Sequence, residues 1–315
     1  MPSPTVDAPR TSDAAVAIAC DAAYLPFAAT VALSVDRAHP KRDFDLLIAS
    51  LEPLELPPLL TDRGIANAVC RAGDLFDGFP IDARRSLATY LFLPLAQAGY
   101  DRVLTLDADM LCTDGDLGRL IRTPLHGAAV GAVRDNRQWR TPSRRPPEWK
   151  ALGVRNRAYL NGGFVLIDAA AWAEQDLSAR CRAFAAEKLA PLGRDQAMIN
   201  GVLRGDFAEL SPLWNWFVTD KTRLFAEGIG ARILHYIGPR KPWRDTARRL
   251  PPWQRRAFLD TLRAGWPDHP ALGQVDDAPG PLPGARVLFD HTRGLAAMRR
   301  YLARFPDPYA ALPPS

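Results

Sequence analysis

The chain has 315 residues, 47% of them apolar and 24% charged, with a formal net charge of +5 at pH 7. That is the make-up of a globular protein with room for one large core and an appendage. No run approaches the roughly eighteen uninterrupted apolar residues of a helical membrane span, and Cys20, Cys70, Cys112 and Cys181 are too scattered for a disulfide framework or a zinc site.

Met1 to Thr11 lacks the basic cluster and apolar core of a signal peptide, so residues 1–13 read as a flexible N-terminus and the cytoplasm is the expected location. Val16 to Cys20 predicts a strand, and Ala22 to Val35 a helix with Leu25, Ala28, Ala29, Ala32 and Leu33 on one side. Phe44 to Ala49 and Ile65 to Cys70 predict further strands, separated by the Pro-rich stretch from Leu51 to Leu60. Asp82 to Gln97 continues as a helix that Pro94 should kink or shorten.

Val103 to Leu106 is an apolar run that ends in Asp107-Ala-Asp109, and strands at Ala128 to Val133 and Gly163 to Ile167 follow. Between those two strands, Arg134 to Arg157 holds eight basic residues, Trp139, Trp149 and three prolines. This is too polar for core, and reads either as an acceptor-binding loop or as an ordinary surface excursion. Helices are expected over Ala169 to Glu187 and Asp195 to Leu203, then a short strand at Ile233 to Tyr236. Alternating strands and helices predict an α/β fold with a mostly parallel central sheet covered on both faces.

Residues 14–266 read as one domain, residues 267–284 as a Pro/Gly-rich linker and residues 285–315 as a basic amphipathic segment. Residues 240–315 carry 13 Lys and Arg against 7 Asp and Glu, while the rest is balanced at 27 against 28. The basic excess suits a nucleotide, a phosphorylated glycan or an anionic membrane surface, or simply a solvated face. The final helix therefore has two readings, peripheral docking on the inner membrane face or packing back on the domain.

Asp107 and Asp109 leave the carboxyl edge of a buried strand, where α/β sheets bind ligands, and alternate residues project the same way. Two close carboxylates repel unless a cation intervenes, which points to Mn²⁺ or Mg²⁺; an N-cap plus a turn Asp is the plainer alternative. Tyr159-Leu-Asn-Gly-Gly163 places an amide and two glycines before a strand, and Asp195-Gln196 opens a helix that Asp195 could cap. His235-Tyr-Ile-Gly-Pro-Arg-Lys-Pro-Trp243 ends a strand in a histidine, supplies Gly238 for a turn and adds Lys241, a charge suited to phosphate.

In order and spacing these motifs resemble the retaining glycosyltransferases of family 8, which include lipopolysaccharide galactosyl- and glucosyltransferases and glycogenin. The resemblance runs from about Val16 to Trp243. It implies a single nucleotide-binding fold of glycosyltransferase A type that moves a hexose from a UDP-sugar to a glycan or glycolipid acceptor, with no nucleic-acid partner. It also implies that Asp107, Asp109 and His235 hold Mn²⁺ (or Mg²⁺), and that Ala19, Asp21, Tyr24, Ala108, Gly162, Gly238 and Lys241 contact the donor. Asn161, Asp195 and Gln196 would address the sugar, with same-face attack because Gln196 stands where a nucleophilic carboxylate would be sought.

Two departures stand out. Asp21-Ala-Ala-Tyr24 replaces the family's usual Asp-Asp-Asn-Tyr, and Phe92 stands where an arginine is usual, with Arg84 and Arg85 nearby. A binding protein of the same fold without turnover is the alternative they favour. A haloacid-dehalogenase-type phosphatase also ends a strand in Asp-x-Asp, but Leu111 stands where Thr or Val is expected and a later acidic pair is missing.

Overall fold

A computed structural model describes every residue except 1–4, 72, 74, 78, 80–85, 140, 190, 191, 193, 194 and 315. Arg84, Arg85 and the first part of the helix expected from Asp82 lie outside the described residues. Eight strands form the main sheet in the order β1-β4-β3-β2-β5-β8-β7-β9. They are β1 (Thr5–Asp7), β2 (Ala14–Ala19), β3 (Asp45–Ser50), β4 (Ala66–Arg71), β5 (Arg102–Asp107), β7 (Val130–Arg134), β8 (Leu160–Asp168) and β9 (Ala208–Leu210). Among the described residues the pairings β2·β3, β2·β5, β3·β4 and β7·β9 are parallel, and β5·β8, β7·β8 and β1·β4 antiparallel.

Strand alternation feeds two core layers. Val16, Ile18, Leu104 and Leu106 pack beneath helix α1 (Leu25–Ala38), while Ala15, Ala17 and Val103 face Leu177, Met198 and Leu203 on the other side. Ala28, Ala29 and Ala32 let α1 lie close to the sheet, and burial of Phe27, Val31 and Val35 stabilises it by about 1.5–3 kcal/mol each. α1 starts at Leu25 rather than Ala22, with Tyr24 as its N-cap residue and Pro26 in its first turn.

The decisive feature is the antiparallel β8. Because Leu106 pairs with Phe164, the start of β8 lies beside the end of β5, and Asn161, Gly162 and Gly163 arrive at the edge where Asp107 emerges. A second sheet, β10-β11-β6, joins β10 (Trp216–Phe217), β11 (Ile233–His235) and β6 (Met110–Cys112), with His235 opposite Met110.

Some expected elements are shorter than the pattern predicts. Among the described residues from Ser86 to Gln97 the helix is reduced to a 3₁₀ turn (Leu87–Tyr90) and one α turn (Phe92–Leu95); the Ser86 hydroxyl caps the first, and Pro94 cannot donate to a longer helix. Ala169 to Glu187 breaks at Asp176, which takes the left-handed φ of 51° that a short polar side chain tolerates.

The basic excursion after β7 is also built differently. Trp139 is buried against Trp216 and Phe217 at 5.2 and 5.1 Å, and Trp149 packs edge-on to Tyr159 at 5.0 Å within a small satellite core. Its aromatics therefore support the fold rather than face an acceptor.

The Pro/Gly-rich stretch read as a linker is tied down, since the buried Arg255 donates to the Asp276 carbonyl at 2.8 Å and to that of Ala278. Beyond it the helix Ala285–Leu302 buries Met298 and Tyr301, and Leu312 pairs with Glu209 of β9. Leu282, Leu288 and Phe289 stay outside, 92%, 48% and 62% exposed. Among the described residues no helix is long and apolar enough to cross a membrane.

Candidate metal and donor site

Asp107 and Asp109 line a crevice of about 910 Å³, and the buried His235 closes on both carboxylates from behind its wall. Ala19, Asp21, Tyr24, Ala108, Gly162 and Arg244 line the same crevice. His235 Nε2 lies 3.1 Å from Asp109 Oδ1 and 3.6 Å from Asp107 Oδ2. Asp21 accepts from the Tyr24 amide at 3.1 Å, which steadies the turn into α1. Gly238 lies in the turn after His235 with φ +73°, and is not among the crevice residues. Trp243 stacks on Phe27 of α1 at 3.8 Å and anchors the run from His235 to Trp243.

The histidine's protonation follows from its neighbours. The backbone amides of Gly162 and Gly163 can only donate, and they point at Gln196 Oε1 (3.2 Å) and Asn161 Oδ1 (3.2 Å). Asn215 Nδ2 donates to the same Asn161 oxygen at 2.8 Å, so Asn215 Oδ1 faces His235 Nδ1 at 2.9 Å and fixes the proton there. In the neutral ring Nε2 is then a lone pair aimed at two carboxylates.

Lone pairs facing carboxylate oxygens call for a cation. Asp109 Oδ1 is buried without a hydrogen-bond donor, a state that costs about 1–3 kcal/mol. A Cβ on Gly163 would overlap Asp107 Oδ2 and lie 2.6 Å from His235 Cε1, so only glycine leaves this space open. Two carboxylates and a neutral imidazole suit Mn²⁺ or Mg²⁺ in such a cradle.

Burial, then the Asp109 carboxylate, raise Asp107 to about 6. Its side chain is still 50% exposed, so water screens part of this, and we assign the direction to the Asp109 neighbour. Burial opposes ionisation of Asp109 and positive charge beside it outweighs this, an imidazolium at His235 or, with that ring neutral, the Lys241 ammonium, so the carboxyl is held below the usual range. Lys241 pairs with Asp109 Oδ2 and donates to the Tyr236 carbonyl at 2.6 Å.

Gln196 is fully engaged. Its Oε1 accepts from Asn161 Nδ2 at 2.9 Å as well as from Gly162, and its Nε2 donates to Asp135 Oδ2 at 3.1 Å. Asp195 lies over Gly162, where a Cβ would come 3.1 Å from Asp195 Oδ2. Asp135 in turn accepts from Arg137 Nε at 2.8 Å. A continuous polar chain thus runs from His235 through Asn215, Asn161 and Gln196 to Asp135.

Three residues of this arrangement escape the motif reading. Asn215 has a signal in retrospect, a lone amide between Trp214 and Trp216; Asp135 directly follows strand β7 and caps the turn after it; Arg244 directly follows Trp243. Phe92 lines the crevice but also packs edge-on to Trp172 at 6.2 Å.

Residues 15–247 match the family described as Glycosyl transferase family 8, and the chain belongs to that family. It is 28% identical over 212 residues to the lipopolysaccharide glucosyltransferase WaaO of Escherichia coli (strain K12), covering 65% of this chain and 61% of that protein. A putative glycosyltransferase of Haemophilus influenzae is 25% identical over 173 residues, 52% of this chain and 51% of its own length. The chain thus spans between half and two thirds of these curated relatives.

Among solved structures, the galactosyltransferase LgtC in complex with donor and acceptor sugar analogs superposes with a TM-score of 0.65 at 24% identity, covering 83% of this chain and all (100%) of LgtC. The bifunctional glycosyltransferase WbbM gives 0.63 at 19% identity, covering 85% of this chain and 52% of WbbM. Both share the fold.

Proposed function

We propose that the chain is a metal-dependent retaining hexosyltransferase that moves galactose or glucose from a UDP-sugar to a glycan acceptor, such as lipopolysaccharide or another cell-surface polysaccharide. The observation that carries this reading is the lone pair of His235 Nε2 aimed with Asp107 and Asp109 into a space that Gly163 leaves open. A divalent ion held there supplies Lewis-acid charge that stabilises a departing diphosphate.

The chain's own residues do the rest. Asp21 and Tyr24, beside Ala19, frame the mouth of the crevice where a base would enter, and Ala108 and Gly162 present backbone to the donor. Lys241, steadied by the Gly238 turn, adds a cation beside the carboxylates, and Arg244 supplies a second on the crevice wall. Asn161, Asp195 and Gln196 border the place for the hexose. A Gln196 oxygen that already accepts two hydrogen bonds is a poor nucleophile, which supports same-face attack; a trapped glycosyl adduct on Asp195 or Gln196 contradicts it.

In this reading residues 14–266 form the catalytic unit. The exposed Leu282, Leu288 and Phe289, near Arg286 and Arg293, would dock on an anionic membrane face, a reading that fails if changing all three apolar residues to Ser leaves flotation with anionic liposomes unchanged.

The test of the activity is release of UDP from a panel of UDP-sugars with and without Mn²⁺, in the wild type and Asp109→Asn. Mn²⁺-dependent turnover lost in the variant supports the enzyme and names its sugar. Binding of UDP without turnover on any donor or glycan acceptor supports the non-catalytic alternative instead.

A further inference from the structure

A second pocket, of about 240 Å³, lies where the segment around Gly280 meets the start of the helix Pro252–Gly265. Arg223, Arg248 and Arg249 line it. Arg248 has a carboxylate partner, Asp276. No described ion pair involves Arg223 or Arg249. Arg223 donates to the Arg249 carbonyl, yet its Nε is buried with no hydrogen-bond partner.

Nearby acids are committed elsewhere. Asp245 accepts from the Arg249 and Leu250 amides at 3.0 and 2.7 Å and faces Arg255 Nη1 at 3.3 Å. Glu227, which lines the pocket, accepts from Trp253 Nε1 at 2.6 Å. The 14-residue helix adds the positive end of its dipole, because Pro251 and Pro252 line the pocket and no side chain caps that end. A Cβ on Gly280 would overlap the Arg248 carbonyl, so a glycine is needed for this wall to close.

Guanidiniums and a helix N-terminus that converge repel one another, and the carboxylate that lines the pocket, Glu227, forms no described ion pair with Arg223 or Arg249. Burial, then the charge of Arg249, lower the pKa of Arg223 against the opposing pull of the Asp245 carboxylate. We propose that this pocket binds a phosphate monoester or diester group, held between Arg223 and Arg249 at the head of the Pro252–Gly265 helix. Planar guanidinium forks match phosphate oxygens, and helix N-termini favour the same charge. The phosphate can come from a phosphorylated glycan or from a lipid headgroup.

The test is calorimetric titration of the wild type, Arg249→Ala and Arg223→Gln with glucose 6-phosphate, inorganic phosphate and glucose, in chloride buffer. The wild type is expected to bind both phosphates and not glucose, with affinity falling about tenfold or more in each variant. Arg249→Ala changes an exposed side chain, so its melting temperature without ligand should hold or rise as repulsion is relieved. Phosphatidylglycerol vesicles separate the sources: sedimentation lost in both variants assigns the group to lipid, and sedimentation unchanged assigns it to a phosphorylated glycan. Lys241 and Arg244 are intact in both variants, so phosphate held in the crevice instead would bind undiminished. That result, or no phosphate binding by the wild type, overturns the proposal.

Discussion

His235 Nδ1 sits 2.9 Å from Asn215 Oδ1, and this one hydrogen bond sets which nitrogen of the ring faces Asp107 and Asp109. Asn215 is itself held by Asn161, which the Gly163 amide orients, so the ligand geometry is fixed from behind. Replacing Asn215 with Ala is expected to weaken Mn²⁺ binding about 10- to 100-fold. Electron paramagnetic resonance titration of free Mn²⁺ measures this, and unchanged affinity would mean that Asn215 does not set the tautomer.

Gly163→Ala places a methyl group against Asp107 and His235. Activity and Mn²⁺ binding should both be lost, with a stability cost of about 1–3 kcal/mol from overpacking. Gly162→Ala meets Asp195 at 3.1 Å and should be milder for the metal. Comparison of Mn²⁺ affinity with denaturant midpoints for the two variants separates loss of the cradle from general unfolding.

The raised Asp107 gives a pH dependence with a definite sign. Below about 6 that carboxyl carries a proton that a cation must displace, and above it the carboxylate is free. Mn²⁺ affinity should therefore be flat above this pH and fall about tenfold per pH unit below it, as displacement of one proton requires. A binding curve that is level down to pH 4 would contradict the assignment.

Much of the site is legible in the sequence, because an apolar strand that ends in alternating carboxylates and a strand that ends in histidine keep local patterns. What lies outside local pattern is pairing. The position of Asn161 beside Asp107 depends on β8 running antiparallel, a long-range register that the run Gly163 to Ile167 does not encode. Asn215 acts through a tautomer, visible only when three amides are in contact. The basic loop misled for a related reason: Trp139 finds Trp216 and Phe217 from another sheet, so local polarity said little about its burial.

Asp45 links the N-terminal segment to the core, accepting from the Thr11 and Ser12 amides at 2.8 and 3.3 Å and from the Tyr100 hydroxyl at 2.9 Å. Burial acts to raise its pKa, but these hydrogen bonds, with that of the Thr11 hydroxyl, outweigh it and leave it lowered. The folded value lies below the unfolded value of about 3.9, so the stability it contributes is present above that pH and lost as pH falls through the folded value. Asp45→Asn should cost about 1–3 kcal/mol at neutral pH and flatten the acid limb of urea midpoints against pH. A wild-type acid limb in the variant would remove Asp45 from the account.

The most direct measurement is anomalous diffraction from crystals grown with Mn²⁺ and UDP. The account places one strong peak between Asp107, Asp109 and His235 Nε2, with Nδ1 still bonded to Asn215, and no such peak in Asp109→Asn. Mn²⁺ bound elsewhere, or a wild-type cluster that stays empty while UDP occupies the crevice, would contradict a metal-dependent transfer at this site.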